Sequence, residues 1–400
     1  MCYKYFYTYD LKEGFSMKVK TSEFLYQGWF ILLGGFGGLL LSLMGLSIGW
    51  MIGSMLFACI LSLWQPAKLG INEKRGLNRS WFQIGQFLLG IELGRNVNMS
   101  VMAIFQENWI TVVIVLLTSI LFSLGTGLLL YKYTRADKLT GLLATSPGGI
   151  ATMPTIAEEV GANIGVVTAV QAIRVLFVVT LIPLVLFFIV NANGAADPAS
   201  HVMVSPIQYD GNQYIWTLPV ILLALLGALF GKRIKLPAPW LIGTLLGVII
   251  FQILSSTITD QAITFFWPHS IVIIGQILIG VSIGSRFQKS MFIGLKRILV
   301  VSTIGTLLLI IAMFICSYIV SVITGISLIT SVLAFAPGGV VEMSTAAVLL
   351  HADSTFVVAV QTLRIIMVIL LLPSFIRFIH KREVAKKEKK GTIHQASTYL

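Results

Sequence analysis

From Phe24 to Ile376 the chain is built of long apolar runs separated by short polar gaps, six runs in each half. Runs such as Trp109 to Leu130 and Leu299 to Val322 supply the roughly 20 residues that a bilayer-crossing helix needs. The first run, Phe24 to Leu43, is followed by no small-residue cleavage site, so it reads as a retained membrane segment and not a cleavable signal. One run in each half is broken. Leu139 to Ala157 carries Pro147-Gly148-Gly149 at its middle and Pro154 beyond it, and its partner carries Pro337-Gly338-Gly339. Proline and glycine interrupt helices, and irregular backbone survives at membrane depth only where protein or a cavity covers it, so each broken run is expected to be a re-entrant hairpin.

The broken runs are copies of each other. Between Thr140 and Pro183, 18 of 44 residues are identical to those 190 positions later, including Met153/Met343, Gln171/Gln361, Arg174/Arg364 and Pro183/Pro373. The same offset aligns Trp50/Trp240, Gly53/Gly243, Gly85/Gly275, Gln86/Gln276 and Gly90/Gly280. A unit of that length is too large for a solenoid repeat and points to a two-fold membrane bundle.

Charge orients the copies. Lys and Arg cluster in the gaps Gln65 to Ser80, Tyr131 to Lys138, Gly231 to Lys235 and Ser285 to Arg297, and in the tail from Arg377 to Lys390, which are therefore expected to be cytoplasmic. The linker Asn191 to Tyr214 has no Lys or Arg but carries Asp197 and Asp210, and is expected outside. An odd number of crossings must separate Lys132 from Asp197, so one of the two runs between them, the broken one, does not cross. Each half then makes five crossings, and the second copy is inverted relative to the first.

The expected architecture is an all-α polytopic membrane protein with two five-crossing inverted-topology repeats, each with a Pro-Gly-Gly broken or re-entrant helix. Its parts are a cytoplasmic N-terminal extension (1–23), a first membrane repeat (24–190), an extracytoplasmic linker (191–214), a second repeat (215–379) and a basic cytoplasmic tail (380–400). Met17, opening the basic flank MKVK, is the expected natural start. A content of 56% hydrophobic and 11% charged residues fits a bilayer and not a soluble domain. Because the net charge of +12 lies in the short gaps, it orients the chain and does not suggest a nucleic-acid partner. Cys2, Cys59 and Cys316 share no short spacing, and the five histidines (His201, His269, His351, His380, His394) offer no metal set. With no Walker, Gly-x-Ser-x-Gly or His-Glu-x-x-His sequence either, no enzymatic chemistry, metal or cofactor is expected.

The candidate site joins Pro147, Gly148, Gly149, Gln171 and Arg174 to Pro337, Gly338, Gly339, Gln361 and Arg364. Glycine permits positive φ and close backbone approach, and a helix starting just after it exposes N–H groups that attract anions. An intramembrane Arg costs at least ~2.5 kcal/mol on insertion scales and needs a partner. That partner is an anionic solute, the carbonyls of a broken helix or a carboxylate. Glu342, whose counterpart is Thr152, either pairs with Arg364 or Arg174 or holds a proton or sodium ion. Glu92 is expected near a helix exit at Asn96, beside Arg95, and Glu158 and Glu159 form a solvated rim.

The segments SPGGIATMPTIAEEVGANIGVVTAVQAIRV and APGGVVEMSTAAVLLHADSTFVVAVQTLRI resemble the duplicated unit of the AbrB-type integral membrane family. In that unit Pro-Gly-Gly, a following Met, a small-residue turn and a Gln-x-x-Arg helix recur in both halves. The resemblance spans Gly34 to Pro373, with His351 standing where the second unit usually has Gly. The family's labels of regulator and of ammonia monooxygenase imply chemistry for which the chain has no residues. Its layout is similar to the cation/proton antiporter and anion transporter superfamily, which implies a transport fold. The expected function is secondary transport of a small anionic solute across the cell membrane, with both termini cytoplasmic. The bilayer, the solute and a proton or sodium ion are the expected partners, and a homodimer is compatible. A membrane regulator of gene expression acting through a protein partner, or an exporter of lipid-like compounds, are the alternatives.

Overall fold

The computed structural model describes residues 21–46, 48–64, 77–97, 100–192, 211–259, 264–368 and 370–371. The expectations for Met17, most of the Gln65 to Ser80 gap, the linker acids Asp197 and Asp210, Pro373 and the basic tail lie outside them. All regular structure among the described residues is helical. The first copy forms α1 (Thr21–Leu43), α2 (Gly49–Trp64), α3 (Arg79–Arg95), α4 (Ser100–Tyr133), α5 (Lys138–Thr145), α6 (Gly149–Glu159) and α7 (Ile164–Ala192). The second forms α8 (Gly211–Arg233), α9 (Pro239–Thr259), α10 (His269–Gly284), α11 (Lys296–Thr324), α12 (Leu328–Phe335), α13 (Val340–Leu349) and α14 (Ser354–Val368), with a 3-10 turn, Lys289–Met291, before α11.

Five helices, within α1, α4, α7, α8 and α11, are long and apolar enough to cross a membrane. Others are shorter: α2 and α10 have 16 residues each, about 24 Å of rise against a hydrocarbon core of about 30 Å. Two sequence boundaries shift. Helix α4 extends well beyond Trp109 to Leu130 at its N-terminal side, and α6 continues through Pro154 to Glu159. Pro154 sits only five residues into α6, so its missing N–H removes one helical bond next to a turn whose N–H groups have no helical acceptor in any case.

Glycines set the packing of α1, α2 and α3 with α8, α9 and α10. A Cβ on Gly53 of α2 would strike the carbonyl of Gly37 on α1, and one on Gly243 of α9 would strike the carbonyl of Gly227 on α8. Small residues let helix backbones touch where lipid offers no hydrophobic drive for association. Across the copies, Gly90 of α3 lies against Leu241 and Thr244 of α9, while Gly280 of α10 lies against Met51 and Ser54 of α2. Each contact is the other moved by 190 residues. The helices α3 and α10 meet each other at Gly85 and Gly275, a residue and its own counterpart.

The remaining helices gather around α4 packed on α11: α5 packs on α4 and α7, α7 also on α6 and α11, and α12 on α11 and α13. Helix α13 also leans on α3, linking the two groups. A continuous buried core runs through both, from Met51 and Ile279 to Val179, Leu333 and Met343. The free thiols of Cys59 and Cys316 lie on α2 and α11, far apart in sequence and without a disulfide.

The glycine contacts predict a graded response in thermal unfolding of the purified protein in detergent. Gly90→Ala and Gly280→Ala should each lose about 1–3 kcal/mol, because the added methyl meets backbone or a packed side chain. Gly125→Ala, on α4 with nothing within 4 Å, should be neutral or stabilising.

Candidate functional site

Each Pro-Gly-Gly motif is the tip of a helical hairpin with closed ends. Asp137 caps α5 by accepting from the Thr140 N–H at 3.0 Å, and Ser327 caps α12 by accepting from the Thr330 N–H at 3.2 Å. The hydroxyl of Thr140 then accepts the Asn163 N–H at 2.9 Å, and that of Thr330 accepts the Asp353 N–H at 3.1 Å. The chain leaving α6 or α13 thus returns to where α5 or α12 began. Between them the chain turns through left-handed residues, Gly161 at φ +70° and His351 at φ +52°. The same closing bonds, Ala162 N–H to Ala157 O and Ala352 N–H to Ala347 O at 2.8 Å, hold both turns, so His351 takes the conformation that glycine has in the first copy.

Positive φ is not what the tip glycines provide. Gly148, at φ −169°, and Gly339, at φ −87°, lie outside the left-handed region. Their use is close approach: a Cβ on Gly148 would strike the thioether end of Met153, and one on Gly338 would lie 2.8 Å from Cε of Met343. Both methionines are almost wholly buried, so the tips fold onto a fixed apolar plug.

The Gln-x-x-Arg pairs hold the broken ends. A helix that stops leaves its last carbonyls without partners, at its negative pole. Gln171 of α7 donates from Nε2 to the carbonyls of Leu143 (3.2 Å) and Ser146 (2.8 Å) at the end of α5. Arg174 donates from Nη1 to the carbonyls of Thr145 (2.6 Å) and Ser146 (2.9 Å). In the second copy Gln361 of α14 donates to Leu333 O (2.8 Å) and Ala336 O (3.1 Å), and Arg364 donates to Ala336 O and Gly338 O. All four side chains are at most 5% exposed. Of the two readings of the arginines, the structure displays contact with the carbonyls.

The copies then diverge. Arg174 closes on its own neighbour, Nη2 to Gln171 Oε1 at 2.8 Å, whereas Arg364 reaches past Gln361 to the tip and leaves Gln361 Oε1 without a partner. Arg174 Nε is likewise buried and unpartnered. Arg364 is within electrostatic reach of Arg174. The packing of α12 and α13 on α7 accounts for this.

Glu342, for which an arginine pair and a proton or sodium site were both open, makes no ion pair within 4 Å among the described residues. It is 7% exposed, and its carboxylate lies against Gly339, folded over the start of α13. It feels the charges of Arg286 and Arg364. Arg286, just past the end of α10, was not anticipated. Its guanidinium sits 5.0 Å from the centre of the Phe82 ring. Burial holds it below the ordinary arginine value, with Arg79 acting in the same direction and Glu342 opposing. The offset carried the signal: Arg286 stands opposite Asn96 just as Glu342 stands opposite Thr152, so the two opposite charges occur in the same copy. Of the other expected acids, Glu158 and Glu159 are exposed, while Glu92 turns inward, with its side chain 15% exposed.

The profile of the family described as transition state regulatory protein AbrB matches residues 50–380. The chain is 43% identical over 381 residues to YhjN of Bacillus subtilis (strain 168), a protein whose name describes it as uncharacterized, covering 94% of this chain and 99% of that protein. It is 30% identical over 305 residues to a supposed regulator, AbrB, of Escherichia coli (strain K12), covering 76% of this chain and 84% of that protein.

If the arginines are anchors of the broken backbone, Arg174→Lys should destabilise the solute-free protein by about 1–3 kcal/mol, since an ammonium cannot reproduce the fork that serves two carbonyls and Gln171. Thermal unfolding in detergent without solute measures this. An arginine kept only for a solute would leave that value unchanged.

Proposed function

The chain belongs to the AbrB family, and from that premise we propose that it is a secondary transporter of a small anionic solute held between the two hairpins. What supports this most is the balance of buried charge where the copies meet. Arg174 and Arg364 bring two guanidinium charges within electrostatic reach of each other against the one carboxylate of Glu342. The carbonyl poles of α5 and α12 already engage the Gln/Arg donors, while the helix starts of α6 and α13 are positive poles. An anion at this place meets a net positive field in a setting of low polarity.

In this reading the hairpins are re-entrant and each copy makes five crossings, so the copies are inverted, with both termini cytoplasmic in the cell membrane. Inverted repeats with broken helices meeting near the midplane are a common transporter plan. Glu342 is the coupling residue: folded over the start of α13, its carboxylate occupies the position an anionic group would take. A proton or sodium ion drawn to Glu342 frees that helix start for the solute. The chain performs no catalysis in this reading. The regulator names of the family and of the E. coli relative favour a second reading, in which the chain signals through a protein partner. Removing residues 380–400 separates the two, because a transporter keeps its flux and a signalling protein loses its output.

The test is uptake into proteoliposomes of a labelled panel of small mono- and dicarboxylates, phosphate and sulfate. Saturable uptake of at least one anion is expected, falling about tenfold or more in Glu342→Gln and Arg364→Lys, the scale of one hydrogen bond to a charged group. Absence of uptake for every anion, or equal flux in both variants, contradicts the reading.

A further inference from the structure

A crevice of about 160 Å³, with no residue of either hairpin in its walls, opens between the end of α1, the start of α2 and the middle of α7. Ile48 and Ile52 form its buried side, and the half-buried Leu41, Leu46 and Leu184 its outer side. Only apolar surface lines it. We propose that this crevice holds the acyl chain of a bilayer phospholipid.

Size, lining and surroundings agree on that occupant. Both α1 and α7 are long and apolar enough to cross a membrane, so the medium beside the crevice is lipid. Leu43 and Met44, next along the chain from Leu41, are each 75% exposed, and Val185, next to Leu184, is also exposed. Walls of hydrocarbon give water no hydrogen-bond partners, so the space stays dry. Left empty, the walls would forfeit the dispersion contacts of a packed neighbour. A dry apolar cavity of about 150 Å³ accepts benzene, so this one has room for a chain segment of about six carbons. The acyl chains of the surrounding bilayer have that chemistry and that width.

The second copy fills the same place from its own chain. Leu41 and Leu46 correspond to Gly231 and Leu236. Cδ1 of Leu236 comes within 3.3 Å of where a Cβ on Gly231 would stand, so Leu236 folds into the room that the glycine leaves. A leucine at position 41 denies Leu46 that room, and the crevice stays open. Thr180, which also lines it, likewise faces a larger apolar counterpart, Leu370.

The position gives the lipid a structural consequence. Helix α2 packs chiefly on α1 and α10, and α7 chiefly on α11, α6 and α5, so a chain between α2 and α7 bridges the two groups of helices. On α7 it lies at Thr180, six residues beyond the anchor Arg174. The site stands on its own shape and lining and holds whether or not the protein transports an anion.

The experiment is photo-labelling of the full chain in phosphatidylcholine nanodiscs doped with a phosphatidylcholine that carries a diazirine in mid-chain, with adducts mapped by peptide mass spectrometry. Adducts on segments 41–56 and 180–184 should saturate as the doped fraction rises. Those on the lipid-facing surface of α4, where Leu121 is 67% exposed, should rise in proportion to it. Leu184→Trp and Ile52→Phe, which fill the crevice, should lower the adducts on 41–56 severalfold, while Leu121→Trp should leave them unchanged. The saturation curve needs no variant, so it decides the matter even where a filled variant does not fold. Labelling of the crevice that rises in proportion throughout, or that is unchanged in folded filled variants, overturns the proposal. So does a disulfide between two copies carrying Leu46→Cys in a chain whose own cysteines are replaced, because that result gives the crevice to a second copy.

Discussion

A backbone broken inside an apolar bundle leaves carbonyls with no water to turn to, and each such group costs several kcal/mol if left alone. That constraint organises the molecule. The ends of α5 and α12 survive because the next long helix of the same copy brings a glutamine and an arginine, three residues apart and therefore on one face, to the open carbonyls. Everything around these anchors serves to hold the hairpins in place: the Thr140 and Thr330 hydroxyls close their ends, and Met153 and Met343 fill the space under their tips. With the negative poles engaged, the positive pole at the start of α13 is met within its own copy by the Glu342 carboxylate.

Duplication makes this economical, and slight divergence makes the two copies unequal. The glycine contacts between α3 and α9 and between α10 and α2 are one contact written twice, so a single evolved surface builds both halves of the interface. At the hairpins the copies differ where charge matters. Arg174 turns back to Gln171, while Arg364 reaches the carbonyl of Gly338, and Glu342 and Arg286 have only neutral counterparts. The two hairpins therefore differ in charge and in the contacts of their anchors.

Much of this was legible in the residues. The apolar runs foretold helices in nearly every place they occur, and the 190-residue offset identified the tips, the anchors and the glycines before any packing was known. What could not be read were choices decided in three dimensions. Pro154 looked like a break but lies early enough in α6 to be tolerated, and Gly148 looked like a positive-φ residue but is small for the sake of Met153. Glu342 looked like an ion-pair partner because it lies in an apolar run, yet among the described residues no arginine stands within 4 Å of it. Glu92 resembled a surface acid because a helix ends four residues later, and only the crossing of α3 with α10 turns it inward. The glutamine pair Gln86/Gln276 was visible as a repeated polar position in apolar helices, but only the packing shows that both are buried.

The central claim is that equivalent hairpins enter the membrane from opposite faces. It is tested most directly by labelling single cysteines at the two hairpin exits, Glu159→Cys and His351→Cys, both exposed, in a chain whose own cysteines are replaced. A membrane-impermeant thiol reagent applied to intact cells should label His351→Cys readily and Glu159→Cys only after the membrane is opened. Labelling of both from the same side would contradict the inverted arrangement and, with it, the convergence of the two hairpins from opposite faces on one site.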